Sequence, residues 1–395
     1  MTDPIVIAGA GPAGSVTALS LAQAGIPVLL LEKESDLPID LRASTFHPPS
    51  LDMLDDLGVV DDMISRGLKV DRYQYRDRRT GDVAEFDMSV ISDLTRHPYR
   101  LQLEQYELTH IIRGRLKDYA HVEQRFGAGV TDAELREDHV DVTIQGGEVI
   151  RTPFLVGADG AASAVRKAMG IGFGGFTYDE KFLVASTPFR FEDVFDNLSY
   201  VNYVADPDEW CVILRTDKLW RVLWPTEPGV SDETYLSEDY LQSRLQALHK
   251  QTESFELRHR TLYRVHQRVA ETYIKGRVAL AGDAAHINNP LGGMGMNGGL
   301  HDAVNLSGKL IDIIQNGADF NDAFAVYDRQ RRQIAVQFVQ DHTMKNKKLM
   351  ESTDPDVQSK RQKWLMETAA DPVAAKAFVR ERAMIDCLRD SLAVT

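Results

Sequence analysis

The chain has 395 residues, 43% hydrophobic and 26% charged, a globular composition too long for one small core, which predicts two domains or one domain carrying an insertion. A net charge of -14 argues against a nucleic-acid-binding surface, because phosphate backbones need clustered Lys and Arg. Cys211 and Cys387 lie far apart without metal-ligand spacing, so neither a disulfide framework nor a Cys-rich zinc site is expected, and a reducing cytoplasm fits. The opening lacks the pattern of a signal peptide, and no apolar run reaches the roughly 18 residues of a spanning helix.

In chain order, residues 5–8 form an apolar run of the buried-strand kind. Residues 15–24 then read as a helix, and 28–31 as a second buried strand. This βαβ unit predicts a parallel sheet covered on both faces. Residues 51–66 look helical, with a stop at Gly58, and 106–119 form another amphipathic helix. Residues 140–144 alternate and run into a Gly146-Gly147 hairpin turn. A further apolar strand covers 154–156. Between 182 and 224 the pattern is strand-like and rich in Val, Phe, Tyr and Trp, which predicts an antiparallel sheet in a separate layer. Residues 278–281 restore the buried parallel character, followed by a helix from about 298 to 315. Residues 320–395 read as helices broken at Asp354-Pro355 and Asp371-Pro372.

The fold expected is therefore α/β: a Rossmann-like nucleotide-binding domain with an inserted antiparallel-sheet substrate domain and C-terminal helices. The expected division is 1–70, 98–178 and 274–330 for the discontinuous nucleotide domain. The sheet domain takes 71–97 and 179–273, and the helical region takes 331–395.

Three motifs carry chemistry. Gly9-Ala10-Gly11-Pro12-Ala13-Gly14 follows a strand and opens a helix. There Gly9 permits a tight turn, Gly11 lets a pyrophosphate reach the backbone, and Gly14 allows close helix–strand packing. Glu32 closes the second strand, where a carboxylate can accept from a ribose hydroxyl. A packing-only glycine turn leaves Glu32 unexplained. The second motif runs from Gly157 through Asp159 and Gly160 to Arg166. The third joins Gly282-Asp283 to the loop 290–299, where Asp283 can accept from a polyol hydroxyl. That loop, with Gly293, Gly295, Met296 and Asn297, lets a flat ring lie against backbone N–H groups, and the helix after it stabilises negative charge. Gly170-Ile171-Gly172-Phe173-Gly174-Gly175 matches the same glycine spacing but follows a helix and precedes a strand. It reads as a flexible connection, so no second dinucleotide unit is expected.

Together these motifs resemble the class A flavoprotein aromatic hydroxylases, the para-hydroxybenzoate hydroxylase family. The segment 263–268, with Asp206-Pro207 before Trp210, is most similar to the para-nitrophenol 4-monooxygenase branch. The resemblance implies bound FAD, NADH or NADPH as co-substrate, and O2 activation through a C4a-hydroperoxyflavin that hydroxylates a small aromatic. It implies that Arg42 and Gln102 contact the FAD, that Asp159 lies near the dinucleotide, and that Pro290 flanks the flavin. Phenolic substrates react as phenolates, so a His or Tyr is sought to manage the proton. His47 and Tyr203 are the candidates, with a solvent-facing loop His and a satisfied core Tyr as the simpler readings. His286 reads as structural. A monomer or homodimer is expected. The rival readings are an isoprenoid-chain reductase or epoxidase on the same fold, and a non-catalytic lipid carrier.

Overall fold

Strands without a polar face must be covered on both sides, and the chain sets its most apolar runs side by side to achieve this. The computed structural model describes residues 3–39, 41, 43–206, 209–227 and 229–395. Its first sheet has the order Ile274–Lys275, Val278–Leu280, Leu155–Gly157, Ile5–Ala8, Val28–Glu32, Val122–Phe126. All its pairings are parallel except that of the edge strand Ile274–Lys275. The four strands from Val278–Leu280 to Val28–Glu32 are buried along their whole length. Helices Pro12–Gln23 and Met294–Asn316 pack on one another beside this sheet. The alternating segment Val140–Ile144 sits between Val130–Leu135 and Val149–Thr152, with Gly146 and Gly147 at positive φ in the hairpin turn.

The second sheet has eight strands, in the order His286–Ile287, His259–Ala270, Phe173–Thr187, Trp220–Pro225, Cys211–Arg215, Val201–Ala205, Arg72–Asp77, Val83–Asp87. It is antiparallel apart from one junction, Val201–Ala205 against Arg72–Asp77. The segment 170–175 is not the flexible connection expected from its glycines. From Phe173 onward it is the start of a fifteen-residue strand, with Gly175 opposite Arg268. No helix follows it, so it forms no second nucleotide motif.

Two helical readings change in detail. The expected helix 51–66 is two helices, Pro48–Asp56 and Val60–Arg66, parted at Gly58 with φ 71°. Both C-terminal Asp-Pro pairs prove to be helix starts. Asp354 and Asp371 each accept two backbone N–H groups of the following helix, and proline fills the first helical position where its missing donor costs nothing. Helices Pro355–Ala370 and Pro372–Arg382 pack on Val83–Asp87, while Ile385–Leu392 packs on Phe320–Ile334. The end of the chain thus spans both sheets. No helix among the described residues is long and apolar enough to cross a membrane.

Another small sheet joins the layers: Thr45–Phe46, Arg100–Gln102 and Leu68–Val70, all antiparallel. This junction positions the site.

Candidate active site

The turn after Ile5–Ala8 requires glycine for steric reasons. Gly9 has φ 97°, and a Cβ on Gly14 would stand 1.9 Å from the Gly9 carbonyl oxygen. A Cβ on Gly11, by contrast, would meet nothing within 4 Å, so this face of the helix N-terminus is open. Ala13 packs beside Gly282 and Gly299. The Glu32 carboxylate accepts the Ala10 N–H at 2.8 Å and the Glu34 N–H at 3.1 Å. This corrects the expectation that packing leaves Glu32 unexplained: the carboxylate fastens the glycine turn itself. A carboxylate has roughly four acceptor sites, so bracing the turn does not exhaust it.

Asp159 lies against Gly9 through its backbone. Its carboxylate turns inward, accepting from the Ser163 hydroxyl and from the N–H groups of Ala164 (2.7 Å) and Val165 (3.2 Å). Arg166, which ends the same motif, donates to the carbonyls of Ala284 and Ala161, both at 2.8 Å. The second motif is therefore tied to the third. Asp283 is exposed on the single helical turn Gly282–Ala284, at the end of Val278–Leu280. Beneath that turn, buried Asp302 accepts from Gly282 N (3.1 Å), pairs with His286 (2.8 Å) and pairs with Arg331 (2.7 Å). His286 is buried against this carboxylate.

The glycine-dense segment also needs a correction. Its helix begins at Met294, not near 298, so Gly295, Met296 and Asn297 belong to the first helical turn. Gly293 precedes it in the left-handed region at φ 67°, where glycine carries no steric penalty. A Cβ on Gly295 would lie 3.0 Å from the Asn288 side-chain oxygen, and Met296 packs against the core. Asn297 is fully buried, donating to the carbonyls of Thr45 (2.8 Å) and Gly293 (2.6 Å) and accepting the His47 N–H (2.9 Å). Pro290 is exposed, and its carbonyl accepts the Gly293 N–H at 3.1 Å.

His47 is not the solvent-facing loop residue expected. It is 0% exposed, its Nε2 donates to the Gly292 carbonyl at 2.8 Å, and its Nδ1 has no partner among the described residues. Burial, reinforced by the nearby Arg100 charge, pushes the imidazole down to about 3. Gln102 sits opposite Thr45 in the small sheet and accepts from its hydroxyl at 3.0 Å, while its buried Nε2 donor is unmatched among the described residues. Arg42 lies outside the described residues.

Across this junction the large sheet presents aromatic rings. Tyr203 stacks on Tyr75 with centroids 4.8 Å apart, and the Tyr75 hydroxyl is 3.2 Å from Arg382 Nε. Burial raises the Tyr203 phenol, against the opposing pull of Arg100. A small, partly open void of about 10 Å³ is lined by Tyr75, Tyr203, Leu291, Asn346 and Met350, room for about one water. Among the described residues no cluster suits a metal ion.

Sequence reasoning missed Arg100, Asp302 and Arg331. Arg100 had a usable signal, since Arg100 and Gln102 alternate with Leu101 and Leu103 in a strand, the pattern of polar groups turned to one face.

The family model described as FAD binding domain matches residues 2–342. The chain is 34% identical to para-nitrophenol 4-monooxygenase of Pseudomonas sp. (strain WBC-3), across 95% of this chain and 94% of that one. It is 33% identical to 6-hydroxy-3-succinoylpyridine 3-monooxygenase of Pseudomonas putida, across 86% of each. The crystal structure of p-nitrophenol 4-monooxygenase from Pseudomonas putida DLL-E4 superposes with TM-score 0.90 and 30% identity, covering 98% of both chains. The chain belongs to the FAD-binding-domain family, among the FAD-dependent aromatic monooxygenases.

Proposed function

We propose that this enzyme uses FAD, NAD(P)H and O2 to hydroxylate a small phenol-like or hydroxylated heteroaromatic ring held between the Pro290–Gly293 turn and the Tyr203 face of the large sheet. One observation carries this reading: the turn that abuts the helix N-terminus at Met294 is also the wall of the aromatic void. Leu291 lines that void opposite Tyr75 and Tyr203, and the next residue, Gly292, is gripped by His47.

The residues fit an FAD. The open face at Gly11 and the N-terminus of Pro12–Gln23 suit a pyrophosphate, and exposed Asp283 suits a sugar or ribityl hydroxyl. The unmatched Gln102 amide and the N-terminus of Met294–Asn316 suit the polar edge of the ring. Bound FAD, once reduced by NAD(P)H, supplies the activation of O2 that no side chain provides. His47 stays neutral and holds Gly292. Tyr203 and Tyr75 offer ring faces to the substrate, and Pro290 borders the entrance.

The relatives' substrates, a nitrophenol and a hydroxypyridine, support a ring carrying an acidic hydroxyl. The isoprenoid reductase, epoxidase and carrier readings gain no support. The test is a screen of phenols and hydroxypyridines for accelerated NAD(P)H oxidation, with mass spectrometry of product formed under labelled O2. Stopped-flow flavin reduction should also be faster with a confirmed substrate than without one, because substrate must favour the flavin position that nicotinamide can reach. A full screen without acceleration or label incorporation rejects the reading.

A further inference from the structure

One charged group near Tyr203, which lines the aromatic void, has no counter-charge among the described residues. Arg100, in the central strand of the small sheet, is 3% exposed, and among the described residues no carboxylate pairs with it. Its Nε is buried without a hydrogen-bond partner. Its guanidinium lies over the Tyr73 ring at 4.2 Å, and its charge opposes the upward push of burial on the Tyr203 phenol. A ring face and a neutral phenol compensate such a charge only in part. Leaving a guanidinium buried without an anion is strongly unfavourable.

The ionisable groups around it come from every element packed there, and none supplies the missing charge. His47, from the segment before Pro48–Asp56, is neutral. Tyr73 and Tyr75 of Arg72–Asp77 and Tyr203 of Val201–Ala205 surround it, and burial raises the phenols of Tyr73 and Tyr203. Arg382, at the end of Pro372–Arg382, adds a second buried cation, bonded to Tyr75. Of these groups only Arg382 has a carboxylate beside it, the half-exposed Glu381 at 3.8 Å, which also pairs with His342; around Arg100 the interior is positive and, among the described residues, holds no ionised base.

We propose that Arg100 is the anion-binding residue of the substrate pocket, and that the pocket selects aromatic rings whose hydroxyl is already ionised in water and holds them as the oxyanion. The proton stays in bulk solvent before binding, so no side chain need accept it. This rests on the monooxygenase reading and sharpens it. The substrate class narrows to acidic phenols and hydroxyheteroaromatics, and excludes rings that must be deprotonated after they bind.

The FAD-loaded protein should be titrated with 4-nitrophenol and with 4-nitroaniline, a neutral compound of nearly the same shape. Difference absorption then reports whether the phenol is bound as acid or as anion. 4-Hydroxybenzoate, whose charge is a carboxylate, forms a third arm. The wild type should bind nitrophenol as the anion and prefer it clearly over both other ligands. Arg100→Met should weaken nitrophenol binding by about a hundredfold and erase the preference, with Arg100→Lys recovering part of it. Without ligand, Arg100→Met should melt at or above the wild-type temperature, since it removes an uncompensated charge.

Equal binding of phenol and amine, a bound neutral phenol, tighter binding of the carboxylate, or unfolding of Arg100→Met would each overturn the proposal. If unactivated phenols accelerate NAD(P)H oxidation as well as acidic ones do, this inference fails while the monooxygenase reading stands. If no aromatic compound does so, the monooxygenase reading itself fails.

Discussion

The side-chain oxygen of Asn297 accepts the backbone N–H of His47 at 2.9 Å, joining two segments 250 residues apart. The same amide holds the carbonyls of Thr45 and Gly293, so one buried side chain fixes the small sheet to the helix start beside it. Asn297→Ala would strand one donor and two acceptors in a dry site. The expected loss is about 3 kcal/mol of unfolding free energy, together with weaker flavin binding. Urea unfolding of the ligand-free protein reads the first effect and flavin titration the second; wild-type values in both would remove Asn297 from this role.

Two glycines of the first turn should behave oppositely. An Ala at Gly14 places a methyl 1.9 Å from a backbone oxygen, a clash that no side-chain movement relieves. Gly14→Ala should therefore destabilise the ligand-free protein by about 3 kcal/mol. Gly11→Ala meets open space, so its ligand-free stability should stay within about 0.5 kcal/mol of wild type while FAD affinity drops. Unchanged affinity in Gly11→Ala would move the pyrophosphate elsewhere.

Asp283 stands exposed at the end of its strand. Asp283→Ala should fold normally and lose about 1.5–3 kcal/mol of FAD affinity, the worth of a charge-assisted hydrogen bond. The flavin of the wild type should be released intact as FAD by acid precipitation. A variant that retains flavin as tightly as wild type would take Asp283 out of the site.

Acid should destabilise the protein before its carboxylates titrate. His47 and His301 are fully buried and held down to about 3, first by desolvation, then by the charges of Arg100 and Arg331 respectively. Unfolded histidine titrates near 6.5, so below about that pH the unfolded chain binds protons that the folded one does not. Stability should fall as pH drops from about 6.5 towards 4, by up to about 1.4 kcal/mol per pH unit for each histidine. His301→Gln should flatten that slope in urea unfolding series. An unchanged slope would mean that His301 is protonated in the native protein.

What could be read from the chain alone were features whose cause is local. The runs Ile5–Ala8, Val28–Glu32 and Val278–Leu280 are apolar on both faces, and only a covered parallel sheet accommodates them. The turn at Gly9–Gly14 is demanded by contacts among neighbours in sequence, so its glycines announce it. The aspartates at 354 and 371 cap helices that start at the very next residue.

The remainder depended on partners brought from far away. Glu32 and Asp159 stand out by residue type, yet their hydrogen bonds go to backbone N–H groups of turns that exist only in the folded chain. The helix at Met294 begins earlier than its glycines suggest, because Asn297 is locked to Thr45 and His47 and because small residues let this helix approach Ala13 and Gly282. Arg331 lies on a charged helix and reads as solvated until Asp302 is found beneath it. For Arg100 the decisive fact is that no carboxylate among the described residues pairs with it. A sequence lists charges but not their distances, and in a medium of low dielectric it is distance and burial that decide what a charge does.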